Sequence, residues 1–155
     1  MISGHGGSVN GIAYLPGGER LVTCSHDGTA RIWNVENGEQ EGMAMEHGGR
    51  VWGLAITSDG KKILSGSPAK GSSVWDVEMR QPMAEWGGHE ATFCCIAMSP
   101  DDQLVTSDRT VRFWIADSGD PIGETSQHEN WVQVAIFSPS NEFVACGKYC
   151  GKVSI

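Results

Sequence analysis

No run of 18 apolar residues occurs anywhere in this 155-residue chain, so no membrane-spanning helix is expected. The opening residues, Met1-Ile2-Ser3-Gly4-His5, carry neither a basic segment nor an apolar core. A signal peptide is therefore not expected either. Positive charge is scarce: 11 Lys and Arg stand against 19 Asp and Glu, a formal net charge of -8. The few cations are scattered, which argues against a nucleic-acid backbone or an anionic membrane as main partner. No P-loop, dinucleotide fingerprint or Gly-x-Ser-x-Gly elbow is present. Runs such as Gly4-His5-Gly6-Gly7 lack the following helix that phosphate binding would use. Cysteines number five and fall inside strand-like segments. They are expected to be small core thiols in a reducing compartment, which makes the cytoplasm the expected location, with the nucleus left open.

What the chain does have is glycine, 21 residues of it, too much for a helical bundle and suited to an all-β protein with many turns. It also has an internal period. His5, His47, His89 and His128 are spaced by 42, 42 and 39 residues, and Trp33, Trp75 and Trp114 follow the first three by 28, 28 and 25. Four residues after the first three histidines, and again after His128, comes an apolar residue: Val9, Val51, Phe93, Val132. Apolar triplets follow: Ile12-Ala13-Tyr14, Leu54-Ala55-Ile56, Ile96-Ala97-Met98, Ala135-Ile136-Phe137. Turns come next, at Pro16-Gly17-Gly18, Ser58-Asp59-Gly60, Ser99–Asp102 and Ser138–Asn141. Each turn leads into a second short apolar strand. A weaker fourth strand is expected between each Trp and the next His, such as Glu39 to Met45 and Met83 to Trp86. Four strands in about 42 residues cannot bury their faces alone and need neighbours on both sides, and radial stacking of small sheets supplies them.

The unit Gly4-His5 … Asp27-Gly28-Thr29-Ala30-Arg31-Ile32-Trp33-Asn34 resembles the WD-repeat family. Gly88-His89 … Asp108-Arg109-Thr110-Val111-Arg112-Phe113-Trp114 and the pair Trp75-Asp76 resemble it too. The segments Asn37-Gly38-Glu39 and Ser118–Glu124 are similar to long repeat arrays of fungal members. The resemblance implies an all-β, partial or open β-propeller of four blades, each a four-stranded antiparallel sheet, with the last lacking its outer strand. One arc over 1–155 is expected, with repeats at approximately 5–46, 47–88, 89–127 and 128–155.

The resemblance further implies that each blade is pinned by a bonded set of His, Ser/Thr, Asp and Trp, because unpaired polar groups there are costly. The first copy has all four: His5, Thr23, Asp27, Trp33. The second has His47, Ser65 and Trp75, with Ala69 at the Asp position. The third has His89, Ser107, Asp108 and Trp114 but is three residues short just before Asp108. The fourth has His128, with Cys146 and Cys150 at the hydroxyl and carboxylate positions. The first blade is therefore expected to be the best formed, and a missing carboxylate should leave the His and Trp donors short of a partner.

Histidines placed one per repeat, and Cys146-x3-Cys150 without a second pair, do not make a zinc set. Ser25-His26-Asp27 are adjacent in a turn, whereas triad members meet through folding. Neither a metal, a cofactor nor an enzymatic activity is expected. In the family, one face of the disc is built from the loop before the first strand and the turn between the second and third. Here those positions hold Ser8 and Asn10, Arg50 and Trp52, Thr92 and Cys94, Trp131 and Gln133, plus His26, Pro68 and Tyr149 in the turns. Trp, Tyr and Arg are the residues most enriched at binding hot spots. The expected protein-binding face is thus Arg50, Trp52, Trp131, Tyr149, His26, Asn10 and Gln133, unless Trp52 and Trp131 pack between blades. The function implied is a non-catalytic scaffold that holds a protein or peptide segment. The alternative is a structural part of a larger regulatory protein. Self-association through open blade edges is a further expectation.

Overall fold

A computed structural model describes residues 1–68, 71–86 and 95–155. His89, Ala69, Thr92, Phe93 and Cys94 of the sequence-based reading lie outside the described residues. The described residues hold strands and no helix. The chain divides into two compact units, Met1–Gly87 and Gly88–Ile155.

The first unit contains two four-stranded antiparallel sheets. One runs β1 (Val9–Tyr14), β2 (Arg20–Ser25), β3 (Thr29–Asn34), β4 (Met45–Glu46) in spatial order. The other runs β5 (Gly53–Ile56), β6 (Lys62–Ser67), β7 (Gly71–Asp76), β8 (Pro82–Trp86). The second unit repeats the plan with β9 (Cys95–Met98), β10 (Gln103–Ser107), β11 (Thr110–Ile115) and β12 (Pro121–Gln127). Its last sheet has three strands: β13 (Val132–Phe137), β14 (Val144–Lys148) and β15 (Val153–Ser154). The first expected outer strand is short: Gln40 makes a single bridge to Trp33, and the ladder proper begins at Met45.

The meander follows from local turn chemistry. The turn between first and second strands closes in all four sheets with one bond: Gly18 N to Leu15 O, Gly60 N to Thr57 O, Asp102 N to Ser99 O, Asn141 N to Ser138 O. The donor residue is left-handed each time, at φ +77°, +70°, +61° and +61°. Glycine adopts this conformation freely, and Asp and Asn are the side chains that tolerate it best. The fourth sheet also copies the first in its irregularity, because the register shifts between Val9 and Gly11 and again between Val132 and Val134.

Neighbouring sheets bury one face against each other within each unit. In the first, Leu15, Val22, Cys24, Ala30, Ile32 and Met45 meet Val51, Ile63, Trp75 and Val77. In the second, Cys95, Val105 and Val111 meet Val132, Ala135 and Cys146. Central strands lie covered on both sides, so β2 and β6 are buried from their second residue on, whereas β1 and β13 alternate. Gly11 is fitted to the joint: a Cβ there would come within 2.7 Å of Cys24 Sγ. At the outer faces, Ile12 and Tyr14 of the first sheet and Val134 and Ile136 of the fourth remain well exposed.

Candidate functional site

The polar sets that pin the sheets come first, because they hold the loops that carry the surface residues. In the first sheet Trp33 Nε1 donates to Thr23 Oγ1 at 2.7 Å, and Thr23 Oγ1 lies 2.7 Å from His5 Nε2. His5 Nδ1 lies 2.8 Å from Asp27 Oδ2. One tautomer satisfies every group: Nδ1–H donates to the carboxylate and Nε2 accepts from the threonine hydroxyl. Asp27 also accepts from the amides of Gly6 and Thr29 and from Thr29 Oγ1. Burial raises its carboxyl, but these bonds outweigh burial and hold it well below the usual carboxylate range.

The second sheet corrects one expectation. His47 is buried and is not short of a partner, because its Nδ1 donates to the Met45 carbonyl at 2.9 Å. A backbone oxygen takes the place of the carboxylate. His47 Nε2 is bonded to Ser65 Oγ, and Trp75 Nε1 lies 3.1 Å from both.

The third sheet corrects another. Trp114 Nε1 donates to Thr106 Oγ1 at 2.8 Å, and Ser107 is not in that position. Register gives the reason. Leu104 pairs with Trp114 as Leu21 pairs with Trp33, so Thr106 stands where Thr23 stands. One of the three missing residues is lost from the β9–β10 turn, where Met98 pairs with Leu104 at a separation of six, against seven for Tyr14 and Leu21. The other two are lost from the β10–β11 turn. Ser107 Oγ instead donates to Val132 O at 3.0 Å and ties the third sheet to the fourth. Asp108 keeps its role, accepting from Thr110 N and Thr110 Oγ1. In the fourth sheet Cys146 stands in the hydroxyl register and is buried, whereas Cys150 is exposed. His128 Nε2 lies 3.5 Å from Ser126 Oγ, and burial, then Lys148, lowers its pKa.

The loops before the first strands follow a common plan. In the first unit His47 N and Val51 N donate to Gly28 O and Ser25 O of the preceding sheet's turn. In the second, His128 N and Val132 N donate to Arg109 O and Asp108 O. These bonds set an aromatic ring of each loop on a turn residue of the preceding sheet. Trp52 lies on His26 with centroids 4.9 Å apart, and Arg109 lies over the Trp131 ring at 4.9 Å. Both indoles therefore pack between sheets on one side, yet Trp52 stays 37% exposed.

The remaining residues of the expected face behave differently from one another. Arg50 is exposed. Tyr149 is 73% exposed, with its amide held by Trp131 O. Gln133 is exposed. Asn10 is committed to the joint, donating from Nδ2 to Val51 O at 3.0 Å. Arg109 was not on the expected list. Its turn is two residues shorter than the first sheet's, which hid its correspondence to the His26 position.

The arrangement offers surfaces more than chemistry. Ser25, His26 and Asp27 form no triad: Asp27 serves His5, and His26 Nε2 is buried with no hydrogen-bond partner. Among the described residues no group of three His, Cys, Asp or Glu side chains could hold a metal.

Comparison with known proteins agrees with this geometry. The family model "WD domain, G-beta repeat" matches residues 1–34, 40–76 and 80–114. Periodic tryptophan protein 2 of Saccharomyces cerevisiae is 42% identical over 151 residues, covering 94% of this chain and 16% of that protein. Striatin-4 of Homo sapiens is 50% identical over 34 residues, 22% of this chain and 4% of that protein. The chain thus spans a small part of the curated relatives it matches. Among solved structures, the RRP9 WD40 repeats superpose with a TM-score of 0.87 at 22% identity, over 98% of this chain and 48% of that one. The structure of U3-55K gives 0.81 at 21% identity, over 99% and 53%. The fold is that of four propeller blades, the last with three strands, and the chain belongs to the WD-repeat family.

Proposed function

We propose that this protein is a non-catalytic scaffold that binds a protein or peptide segment on the blade ends carrying Trp52 and Trp131. WD-repeat propellers generally act as interaction scaffolds and are generally not catalysts. The observation that carries the reading is the repeated contact of a loop indole with the preceding blade's turn, Trp52 tilted against His26 and Trp131 beneath Arg109. A ring already held on one side loses little freedom on binding, which is the property of an anchor residue. Exposed Arg50 accompanies Trp52, and exposed Tyr149 and Gln133 accompany Trp131. Each unit thus presents its own aromatic anchor with a polar surround. The buried thiols Cys24, Cys95 and Cys146 are unpaired, which favours a reducing, intracellular setting.

The test is peptide display against the whole chain, followed by affinity measurement on variants. Trp52→Ala or Trp131→Ala should weaken the selected peptides by about tenfold or more, as for an anchor residue. Unchanged affinity in both variants refutes the assignment.

A second reading has its own support. The chain corresponds to about half of each solved neighbour, and Ile12, Tyr14, Val134 and Ile136 leave apolar sheet faces exposed. On this reading the chain is a structural part of a larger regulatory propeller. Sedimentation separates the two: a discrete monodisperse species favours the autonomous scaffold, and progressive association favours the part.

A further inference from the structure

We propose that the fourth blade carries a binding site for a carboxylate group, in the place where the first blade holds its own Asp27. Backbone bonds fix the correspondence between the two blades. Tyr149 N donates to Trp131 O as His26 N donates to Ser8 O, and Gly151 N donates to Lys148 O as Gly28 N donates to Ser25 O. Val132 pairs with Lys148 as Val9 pairs with Ser25. Cys150 therefore stands where Asp27 stands, Lys152 where Thr29 stands, and His128 where His5 stands.

In the first blade the place is filled from within. Asp27 Oδ2 lies 2.8 Å from His5 Nδ1, accepts from Gly6 N at 2.9 Å and lies 3.7 Å from Arg31 Nη2. In the fourth blade the neutral, shorter cysteine leaves a hollow of about 190 Å³. A water's share of liquid volume is about 30 Å³, so the hollow takes a carboxylate with several waters. Its walls are the loop at 127–130 and the turn at 148–152, the counterparts of the two segments that enclose Asp27. The hollow thus arises from the difference between Asp27 and Cys150 and from the blade's own loop and turn.

The electrostatics suit an anion. His128, Asn130, Lys148 and Lys152 all face the hollow, and the Glu129 amide corresponds to that of Gly6. Besides burial, the positive field of Lys148 lowers the pKa of His128. Among the described residues neither lysine forms an ion pair, and His128 Nδ1 forms no hydrogen bond. Glu129 also borders the hollow but is exposed, and the two lysines outweigh it. A carboxylate fits these donors because its two oxygens can accept from an imidazole N–H and a lysine at once. The site does not rest on the Trp52 and Trp131 anchors, so either assignment can fail without the other.

The test is titration of the full chain with sodium acetate, with sodium chloride holding the ionic strength, followed by ¹H–¹⁵N NMR and thermal melting. Saturable shifts at the amides of Glu129, Asn130, Lys148, Cys150 and Lys152, with a rise in melting midpoint, are expected. Lys152 is exposed, and Lys152→Gln should weaken binding by about tenfold, as for the loss of one charge-assisted bond. Lys61→Gln, the same change on an exposed turn of the second blade, should leave binding unchanged. Cys150→Asp supplies the carboxylate from the chain itself at an exposed position. That variant should melt higher than the wild type and show no acetate shifts. An acetylated and amidated Gly-Asp-Gly peptide separates the two sources of the group. If it moves the same amides, the site takes an acidic side chain of a peptide; if acetate alone moves them, it takes a free small carboxylate. Absence of saturable shifts, undiminished binding by Cys150→Asp, equal losses in Lys152→Gln and Lys61→Gln, or tighter binding of inorganic phosphate than of acetate overturns the proposal.

Discussion

Replacing Asp27 with alanine should destabilise this protein more than any other single Asp change. The carboxylate accepts four hydrogen bonds, from His5 Nδ1, Gly6 N, Thr29 N and Thr29 Oγ1. Alanine would strand the imidazole N–H of a side chain only 7% exposed, and would release the turn that starts β3. A buried unsatisfied donor costs about 1–3 kcal/mol, and a bond to a charged acceptor contributes about 1.5–3 kcal/mol net of its exchange with water. With the exposed Gly6 amide recovering a water, the net cost is about 3 kcal/mol. At about 2–4 °C per kcal/mol for a domain of this size, the melting midpoint should fall by about 6–12 °C. Calorimetry on matched samples measures it. An unchanged midpoint, or an equal drop for Asp59→Ala on the exposed turn, refutes the reasoning. The pH dependence gives an independent check. The folded-state pKa of Asp27 is depressed, so its contribution is fully present above about pH 5 and fades as pH falls below the unfolded value of about 3.9. Asp27→Asn removes the titration, so the variant should lose less stability than the wild type between about pH 5 and pH 3.

Three further outcomes are expected. Thr106→Val should displace the indole N–H resonance of Trp114 in an NMR spectrum, whereas Ser107→Ala should leave it in place, because Thr106 and not Ser107 accepts from that ring. Asn141→Gly should raise stability by about 1 kcal/mol in urea titration, since it removes a left-handed non-glycine residue and a buried side-chain oxygen with no partner; a lower midpoint would contradict this. Iodoacetamide at pH 8 should label Cys150 well before Cys24, because Cys150 is exposed and burial pushes the Cys24 thiol up to about 12, against a small opposing effect of the Gly11 amide.

The amino-acid order alone determined the blade plan, because a period in turn residues and apolar triplets is a local property. Strand alternation, the four first turns and the His-Thr-Asp-Trp set of the first copy all stand within single repeats. The surface residues were legible only in part: Trp52 and Trp131 could be placed in loops, but not the ring or cation beneath each. What only the tertiary structure decided was pairing across hairpins and between sheets. Counting 18 residues forward from His89, as from His5 to Thr23, lands on Ser107, because a linear count cannot say which hairpin gave up residues, and a one-residue slip turns a side chain to the other face. Three missing residues divided between two turns put Thr106 under the indole instead. Likewise, Met45 O satisfies His47 and Val51 O holds Asn10. A backbone carbonyl carries no sequence signature, and any residue can supply one once the chain brings it within reach.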